Sequence, residues 1–330
     1  MSVAVVILNW NGKKLLEEFL PSVVQYSEGA IIYLADNASS DDSVSFVSER
    51  FPCVRIIQNK VNGGFAKGYN DALSSLSEDI FILLNSDVEV TENWLGPVLS
   101  EFNNDASLVA AQPKILDHEN KDYFEYAGAA GGYIDQLGYP YCRGRIFNTI
   151  EKDDGQYDDI ADIFWATGAC LFVKREAFWK AGGLDEDFFS HQEEIDLCWR
   201  MQADGGTIKY VGGAAVYHVG GATLASVDPK KTFYNFRNTL LLLVKNAKGA
   251  GIWWIIIQRL FLDGIAGFQF LLQGKGGHFM AVIKAHFSFY GLLPRFLRKR
   301  KNHATRLKYF RIKSIVWKYF IVKKRNFNIL

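Results

Sequence analysis

Four consecutive apolar side chains lead into an acidic residue in the segment Phe81-Ile82-Leu83-Leu84-Asn85-Ser86-Asp87. A short apolar run that ends in a polar turn is typical of a strand buried on both faces. A second run of this kind, Val3-Ala4-Val5-Val6-Ile7-Leu8, ends at Asn9-Trp10-Asn11-Gly12. Six residues are about right for a strand and far too few to span a bilayer. Both runs therefore predict buried strands of an α/β sheet.

Strand and helix patterns alternate along the first third of the chain, which predicts an α/β domain with a doubly wound parallel sheet. The predicted strands are residues 3–8, 31–35, 54–57 and 79–84. The predicted helices are residues 13–26, a helix capped by Ser40 or Asp41, and one that runs from a glycine-rich turn through residue 76. In such a sheet, ligands bind outside the carboxyl ends of the strands.

The order is less regular beyond residue 94. The predicted elements are a helix near 94–102, a strand near 108–112, a polar loop with short strands over 117–162, buried strand-like residues 163–173, helices 175–181 and 193–202, and strands 208–211 and 215–218. After Pro229 the sequence turns helical and apolar.

Charge is divided unevenly along the 330 residues, although the net charge is only +1. Residues 264–330 contain 15 Lys and Arg and no Asp or Glu, so the other 263 residues carry a net charge of −14. A basic, aromatic tail on an acidic body suggests contact with an anionic surface. The four cysteines form no Cys-x-x-Cys pair, which favours buried thiols in a reducing compartment.

Residues 252–272 are almost continuously apolar and contain Arg259 and Asp263 in the middle, four positions apart. Burying that pair at the centre of a bilayer would be costly. The segment can lie in the membrane interface, pack within its own domain or span the bilayer, and we favour the interface.

Two groups of polar residues follow predicted strands in the first third of the chain. Asp36 can accept a hydrogen bond from a pyrimidine N–H or a ribose hydroxyl, or it can simply form a turn or cap a helix. The segment Asn62-Gly63-Gly64-Phe65-Ala66-Lys67-Gly68 can bring backbone N–H groups to a phosphate at a helix N-terminus, or its glycines can serve the backbone alone.

Asp87 and His218 each follow a strand pattern. In Asn85-Ser86-Asp87 only Asp87 offers a full charge, and its carboxylate suits Mg²⁺ or Mn²⁺. An imidazole at residue 218 can complete such a site. The alternatives are a turn aspartate and an ordinary histidine.

Glu193 and Glu194 begin a predicted helix. Neighbouring carboxylates raise each other's pKa and can provide a general base. Acidic residues also favour the first helical turn through the helix dipole. Asp196 is predicted either to serve the site or to pair with Arg200 four residues later.

These motifs occur in one order, and together they resemble the family 2 glycosyltransferases of the GT-A fold, in the rhamnosyltransferase-like, non-processive branch. The resemblance covers about residues 1–245. Its other motifs are Asp36-Asn37-Ala38-Ser39, Gly168-Ala169-Cys170-Leu171, Gly182-Gly183-Leu184-Asp185-Glu186-Asp187-Phe188-Phe189, His218-Val219-Gly220-Gly221 and Phe233-Tyr234-Asn235-Phe236-Arg237-Asn238. The processive signature Gln-x-x-Arg-Trp is absent.

The resemblance implies a Rossmann-like mixed sheet with helices on both faces and an inverting transfer from a UDP- or dTDP-sugar. Residues implied in donor binding are Asn9, Asp36, Asn62, Gly63, Gly64, Lys67, Asn85 and Ser86. Asp87 and His218 would hold Mn²⁺ or Mg²⁺. Trp165, Gly168, Ala169 and Asp196 would lie on the acceptor side. Glu194 stands at the family's Asp position, and Glu193 remains an alternative base.

The resemblance also implies an organisation of the chain. A catalytic domain would cover residues 1–245, with a nucleotide-sugar half over 1–112 and an acceptor half over 113–245. Residues 246–330 would form a basic helical region that binds the inner face of the cell membrane, where each basic residue adds about 1 kcal/mol. The expected acceptor is an oligosaccharide or a lipid-linked glycan, and no nucleic acid is expected. A sugar-nucleotide-binding scaffold and a nucleotidyltransferase are the alternatives.

Overall fold

The computed structural model describes residues 1–220, 228–249, 251–300 and 307–330. Gly221 of the His218 motif and Lys301 of the basic tail lie outside the described residues. The strands are β1 Val3–Asn9, β2 Ile31–Asp36, β3 Arg55–Gln58, β4 Ile80–Asn85, β5 Val88–Val90, β6 Leu108–Asp117, β7 Gly132–Ile134, β8 Pro140–Cys142, β9 Arg145–Ile146, β10 Thr149–Ile150, β11 Ile160–Asp162, β12 Cys170–Lys174 and β13 Thr207–His218. The helices are α1 Lys13–Tyr26, α2 Ser43–Arg50, α3 Gly64–Leu73, α4 Gly96–Asn104, α5 Arg175–Ala181, α6 Glu193–Ala203, α7 Pro229–Asn246, α8 Ile252–Leu272 and α9 Gly276–Arg298.

A nine-stranded sheet forms the centre of the molecule, in the order β11-β13-β6-β12-β4-β1-β2-β3 with β5 paired to β13. Alternate residues of β1 face two separate cores: Val5 packs with the α1 side, and Val6 packs with the α3 side. Helices therefore cover both faces, as apolar strands require. The predicted mixed α/β fold class is confirmed.

The parallel pairing predicted for the first four strands is confirmed, and the antiparallel strands beyond them make the whole sheet mixed, as the family resemblance implied. β1 runs parallel to β2 and β4, but β12 runs antiparallel to β4 and β6. The predicted strand over 163–173 begins only at Cys170. The two strands predicted over 208–218 are one strand, whose register with β6 shifts between Val211 and Ala215. Gly212 lies in that shift, where a Cβ would come within 2.5 Å of the Tyr157 carbonyl oxygen.

Residues 117–162 are more ordered than the predicted polar loop, because β7 to β10 form a small four-stranded sheet. The C-terminal segment packs on this sheet: Asp135 accepts a hydrogen bond from the backbone N–H of Ile315, and Glu151 accepts one from Phe327. The basic tail therefore packs in part against the small sheet.

Arg259 and Asp263 lie on the buried face of helix α8. Arg259 Nε donates to Asp263 at 2.8 Å, and the guanidinium lies 3.5 Å from the centroid of the Tyr139 ring. The opposite face is exposed and apolar: Trp253, Trp254, Ile257, Phe261, Ile265, Phe268, Leu271 and Leu272. Among the described residues, α8 is the single helix long and apolar enough to cross a membrane, by length and composition only.

Candidate active site

The carboxyl ends of β1, β2 and β4 meet at one edge of the sheet. Asn9 stands opposite Asp36, and Leu8 stands opposite Asn85. Asn9 Nδ2 donates to Asp36 Oδ1 at 3.1 Å, and the backbone N–H of Ser39 donates to Asp36 Oδ2 at 3.1 Å. Asp36 is buried, and these bonds fix its orientation. The structure therefore brings together Asn9, Asp36 and Asn85 as the predicted donor edge.

Trp10 follows Asn9 and is exposed at this edge, although nothing in the sequence pattern distinguished it. Ser86 also lies here: its Oγ would be 3.9 Å from a Cβ on Gly12. An exposed aromatic ring beside buried polar groups is suited to a planar ligand such as a nucleobase.

The glycine-rich turn that opens α3 is held by Asn62. Its Oδ1 accepts hydrogen bonds from the backbone N–H of Gly64 and from Asn37 Nδ2, both at 2.9 Å. Gly64 has a φ of +78°, which favours glycine. The Lys67 side chain lies over Gly63, and its ammonium pairs with Asp71 at 2.9 Å. Asn62 thus shapes the turn, and Lys67 already has an ionic partner at the protein surface.

Asp87 and His218 face each other across the β5–β13 pairing. His218 Nε2 lies 3.2 Å from Asp87 Oδ1, and Nδ1 on the other side of the ring lies 3.5 Å from Glu125 Oε2. Burial disfavours the imidazolium, but the two carboxylates outweigh this effect and raise the pKa of His218 to about 10. Glu125 was missed by sequence reasoning because it lies in a segment without strand or helix periodicity.

A divalent cation held by Asp87 and His218 would have to displace the proton of the imidazole and would be shared with a phosphate-bearing ligand. Within the described residues, no group of three or more His, Cys, Asp or Glu side chains is placed to hold a metal alone. Mg²⁺ sites at substrate phosphates commonly use one or two protein ligands, with the remainder from phosphate and water. A carboxylate on the far side of the imidazole, here Glu125, is the usual means of orienting a metal-binding histidine.

Glu193 and Glu194 form the first turn of α6. Glu193 is buried and its Oε2 has no hydrogen-bond partner among the residues that the structure describes, whereas Glu194 is half-buried. Burial raises the pKa of Glu194 to about 7. Burial and the neighbouring Glu194 and Asp196 raise the pKa of Glu193 well above its ordinary value. The two carboxyls therefore differ in accessibility, and the more accessible one titrates near neutrality.

The loop before α6, residues 188–192, has an unusual backbone. Phe189, His191 and Gln192 all have positive φ, at 65°, 69° and 72°. Each non-glycine residue in this left-handed conformation destabilises the folded state by about 1–3 kcal/mol. The conformation persists only where surrounding contacts impose it.

Helix α7 supplies those contacts. Asn238 Nδ2 lies within 3.1 Å of the carbonyl oxygens of Phe188, Ser190 and His191. Arg237 Nη2 donates to the Phe188 carbonyl at 2.9 Å. The motif at residues 233–238 therefore shapes the loop that presents the two glutamates, a role its sequence did not reveal.

Asp196 has a structural environment. It is fully buried, and its carboxylate binds Arg200 at 2.7 Å, Lys245 at 2.8 Å and Asn246 at 2.8 Å. The predicted pairing with Arg200 is confirmed. Asp196 was predicted to bind the acceptor, but its carboxylate is buried and already bound to these three side chains. It therefore has no exposed atom that could contact an acceptor.

A second ionic cluster lies next to the first. Lys245 also binds Asp185 at 2.6 Å, and Arg295 of α9 binds Asp187 at 2.6 Å. The C-terminal helices are thus tied by charge to the chain that leads into the loop before α6.

The three other residues predicted on the acceptor side make contacts within the protein. Trp165 is buried, and its Nε1 donates to the Tyr133 carbonyl at 3.0 Å. A Cβ on Gly168 would lie 3.0 Å from the Phe65 ring, and the Ala169 carbonyl accepts the backbone N–H of Asn85 at 3.0 Å. Gly168 and Ala169 therefore border the donor edge, whereas Trp165 lies in the interior.

Comparison with known proteins identifies the family of the chain. The family model described as glycosyl transferase family 2 matches residues 4–182. The chain is 26% identical over 276 residues to an N-acetylglucosaminyl-diphospho-decaprenol L-rhamnosyltransferase of Mycobacterium tuberculosis (strain CDC 1551 / Oshkosh), covering 79% of this chain and 89% of that protein.

Solved structures give the same fold. GalNAc-T7 with UDP, GalNAc and Mn²⁺ superposes with a TM-score of 0.65 at 16% identity, covering 98% of this chain and 56% of that one. The mannosyltransferase PcManGT of Pyrobaculum calidifontis with GDP-Man and Mn²⁺ gives 0.55 at 13% identity, covering 87% and 86%. The chain spans just over half of the GalNAc-T7 chain, and at these identities both matches establish the fold alone. The chain belongs to glycosyl transferase family 2 and is a glycosyltransferase.

Proposed function

We propose that this chain is an inverting transferase that moves a sugar from a UDP- or dTDP-sugar to a hydroxyl of a lipid-linked or free oligosaccharide. The observation that carries the proposal is the contact between the glycine-rich turn and the loop before Glu194. The backbone N–H of Phe65 donates to the Phe189 carbonyl at 3.3 Å. A donor bound at the turn and an acceptor at the glutamates would therefore be neighbours.

Donor binding is assigned to the sheet edge. Asn9 and Asp36 recognise the pyrimidine or ribose, and the backbone at Gly63 and Gly64, with Asn85 and Ser86, lies beside the diphosphate. Asp87 and His218 would hold Mn²⁺ or Mg²⁺, with Glu125 orienting the imidazole. When bound, the cation supplies Lewis-acid neutralisation of the departing nucleoside diphosphate.

Glu194 is assigned as the general base. Its carboxylate takes the proton of the acceptor hydroxyl while that oxygen attacks the anomeric carbon, which inverts the configuration there. A pKa near 7 leaves a useful fraction ionised at neutral pH and makes the group a stronger base than an ordinary glutamate. Burial and the charges of Glu194 and Asp196 raise the pKa of Glu193 well above its ordinary value.

One relative suggests which substrates to test first. The mycobacterial relative is named for rhamnosyl transfer to N-acetylglucosaminyl-diphospho-decaprenol. A dTDP-rhamnose donor and an acceptor sugar on a lipid diphosphate are therefore the first substrates to test. In this proposal residues 1–112 bind the donor, and residues 113–245 bind the acceptor.

The enzyme would work on the cytoplasmic face of the cell membrane as a peripheral protein. The exposed apolar face of α8 would lie in the bilayer interface, with the buried pair Arg259–Asp263 turned toward the protein. The basic residues of the tail would meet anionic headgroups.

The deciding experiment is a transfer assay with dTDP-rhamnose, UDP-sugars and GDP-sugars, with and without Mn²⁺, alongside thermal shifts with the same donors. We expect one nucleotide class to stabilise the protein in a metal-dependent way and to support transfer. Asp87→Ala should abolish transfer, and Glu194→Gln should lower kcat by about 10²–10⁴. Full activity in both variants would refute the assignment, and donor binding without turnover over a broad acceptor screen would favour a scaffold.

A further inference from the structure

Phe189 is an exposed aromatic residue in a strained backbone conformation. Its side chain is 46% exposed, and its φ is +65°. A bulky residue at positive φ is a genuine outlier. Neither the proton transfer nor the donor edge uses this ring.

The ring is held in place on two sides. It stacks on Tyr234 of α7 with ring centroids 5.6 Å apart and planes 18° from parallel. A Cβ on Gly64 would lie 3.0 Å from Phe189 Cε2, so the absence of a side chain at Gly64 makes room for the ring edge. The Arg237 guanidinium lies 5.1 Å from the centroid of the Tyr234 ring.

The position of the ring matters as much as its rigidity. Phe189 contacts the glycine-rich turn of the donor edge and lies in the loop before α6, four residues before Glu193. The acceptor sugar has to lie between these two features if Glu194 takes its proton. The apolar C–H face of a pyranose packs well on an aromatic ring, which buries area without hydrogen-bond demands.

We propose that Phe189, supported by Tyr234, is the stacking platform for the acceptor sugar ring. This proposal rests on the proposed function, since it needs the acceptor beside Glu194. The platform selects for acceptors that present an unhindered C–H face, and it aligns the hydroxyl with the base.

The kinetic test uses the full chain with Phe189→Ala and Phe189→Trp. Both keep a Cβ at residue 189, so the backbone strain persists. We expect Phe189→Ala to raise the acceptor KM about tenfold, with donor KM and donor hydrolysis by water unchanged. Phe189→Trp should retain acceptor affinity. Trp179→Ala, which removes another exposed aromatic ring, is the control and should leave the acceptor KM unchanged.

A binding test separates this proposal from the catalytic one. Saturation-transfer NMR with methyl N-acetyl-β-glucosaminide reports ring contact without turnover. We expect saturation of its axial C–H protons in the wild type and in Phe189→Trp, and its loss in Phe189→Ala. Equal saturation of the glycoside protons in the wild type and in Phe189→Ala would overturn the platform. An absence of transfer with these binding results intact would count against the proposed function only.

Discussion

Asn238 Nδ2 lies 2.7 Å from the carbonyl oxygen of His191, two residues before Glu193. The same amide also lies within hydrogen-bond distance of the carbonyl oxygens of Phe188 and Ser190, so one buried side chain contacts three carbonyl groups of the loop backbone. The shape of this loop is therefore imposed by α7 and not by its own sequence.

Replacing Asn238 by Ala should relax the loop and misplace Glu194. Loss of buried hydrogen bonds to carbonyls costs about 1–3 kcal/mol, and we expect lower thermal stability together with a kcat reduced at least tenfold. Donor affinity, measured by thermal shift, should change little. Asn104→Ala, at the exposed end of α4, is the matched control. Normal kcat in Asn238→Ala would show that the loop is shaped without this amide.

The pH dependence of transfer should report Glu194. Because the base must be ionised, kcat should rise with pH through about 7, the raised pKa of this carboxyl. Glu194→Gln should lower kcat by about 10²–10⁴ and remove that step. Glu193→Gln, which mimics the protonated acid, should keep most of the activity. The opposite ranking of the two variants would make Glu193 the base.

The free energy of unfolding should fall as pH rises, whereas kcat should increase. A carboxyl whose pKa is raised on folding binds its proton more tightly in the folded state, so its contribution is full below the ordinary glutamate pKa of 4.5 and is lost as pH rises through about 7. The melting temperature of the wild type should therefore fall between pH 5 and pH 8 more than that of Glu194→Gln. If the melting temperatures of the two proteins change with pH in parallel, the pKa of Glu194 is not raised on folding.

The pair Arg259–Asp263 should be essential to the packing of α8. Arg259→Leu leaves Asp263 buried without its main cation, which typically costs 3–5 kcal/mol in denaturant unfolding. Arg259→Leu with Asp263→Leu should recover much of that loss. If the single variant unfolds like the wild type, α8 does not pack on Tyr139 in solution.

The exposed face of α8 should bind lipid. Phe261→Ser with Phe268→Ser should weaken binding to vesicles that contain an anionic lipid, while transfer to a soluble acceptor stays unchanged. Tyr123→Ser, another exposed aromatic, is the control. Binding that is unaffected by these changes but abolished by salt would assign attachment to the basic tail alone.

The sequence predicted the elements whose patterns are local. β1, β2 and β4 were predictable because each is an apolar run that ends in a polar turn. Asp87 lies two residues beyond β4 and His218 is the last residue of β13, so the strand patterns also marked these positions, and the metal-binding role of both residues stays a prediction. Glu125 was not predictable, because only the tertiary fold brings it to His218. The antiparallel insertion of β12 was missed for the same reason: strand direction is set by long-range pairing and leaves no mark in a short apolar run.

The attachment of α9 to the acidic residues before Glu194 has a geometric consequence. Arg295 binds Asp187, and α9 packs along α8, so α9 connects the exposed α8 face to the segment that leads to Glu194. With α8 lying on a bilayer, Glu194 would stand at one set height above the lipid. Acceptor glycans would then be chosen by their length: a hydroxyl held too near the carrier lipid or too far from it would miss the base, and rates measured on one-, two- and three-sugar acceptors in vesicles should peak at a single size.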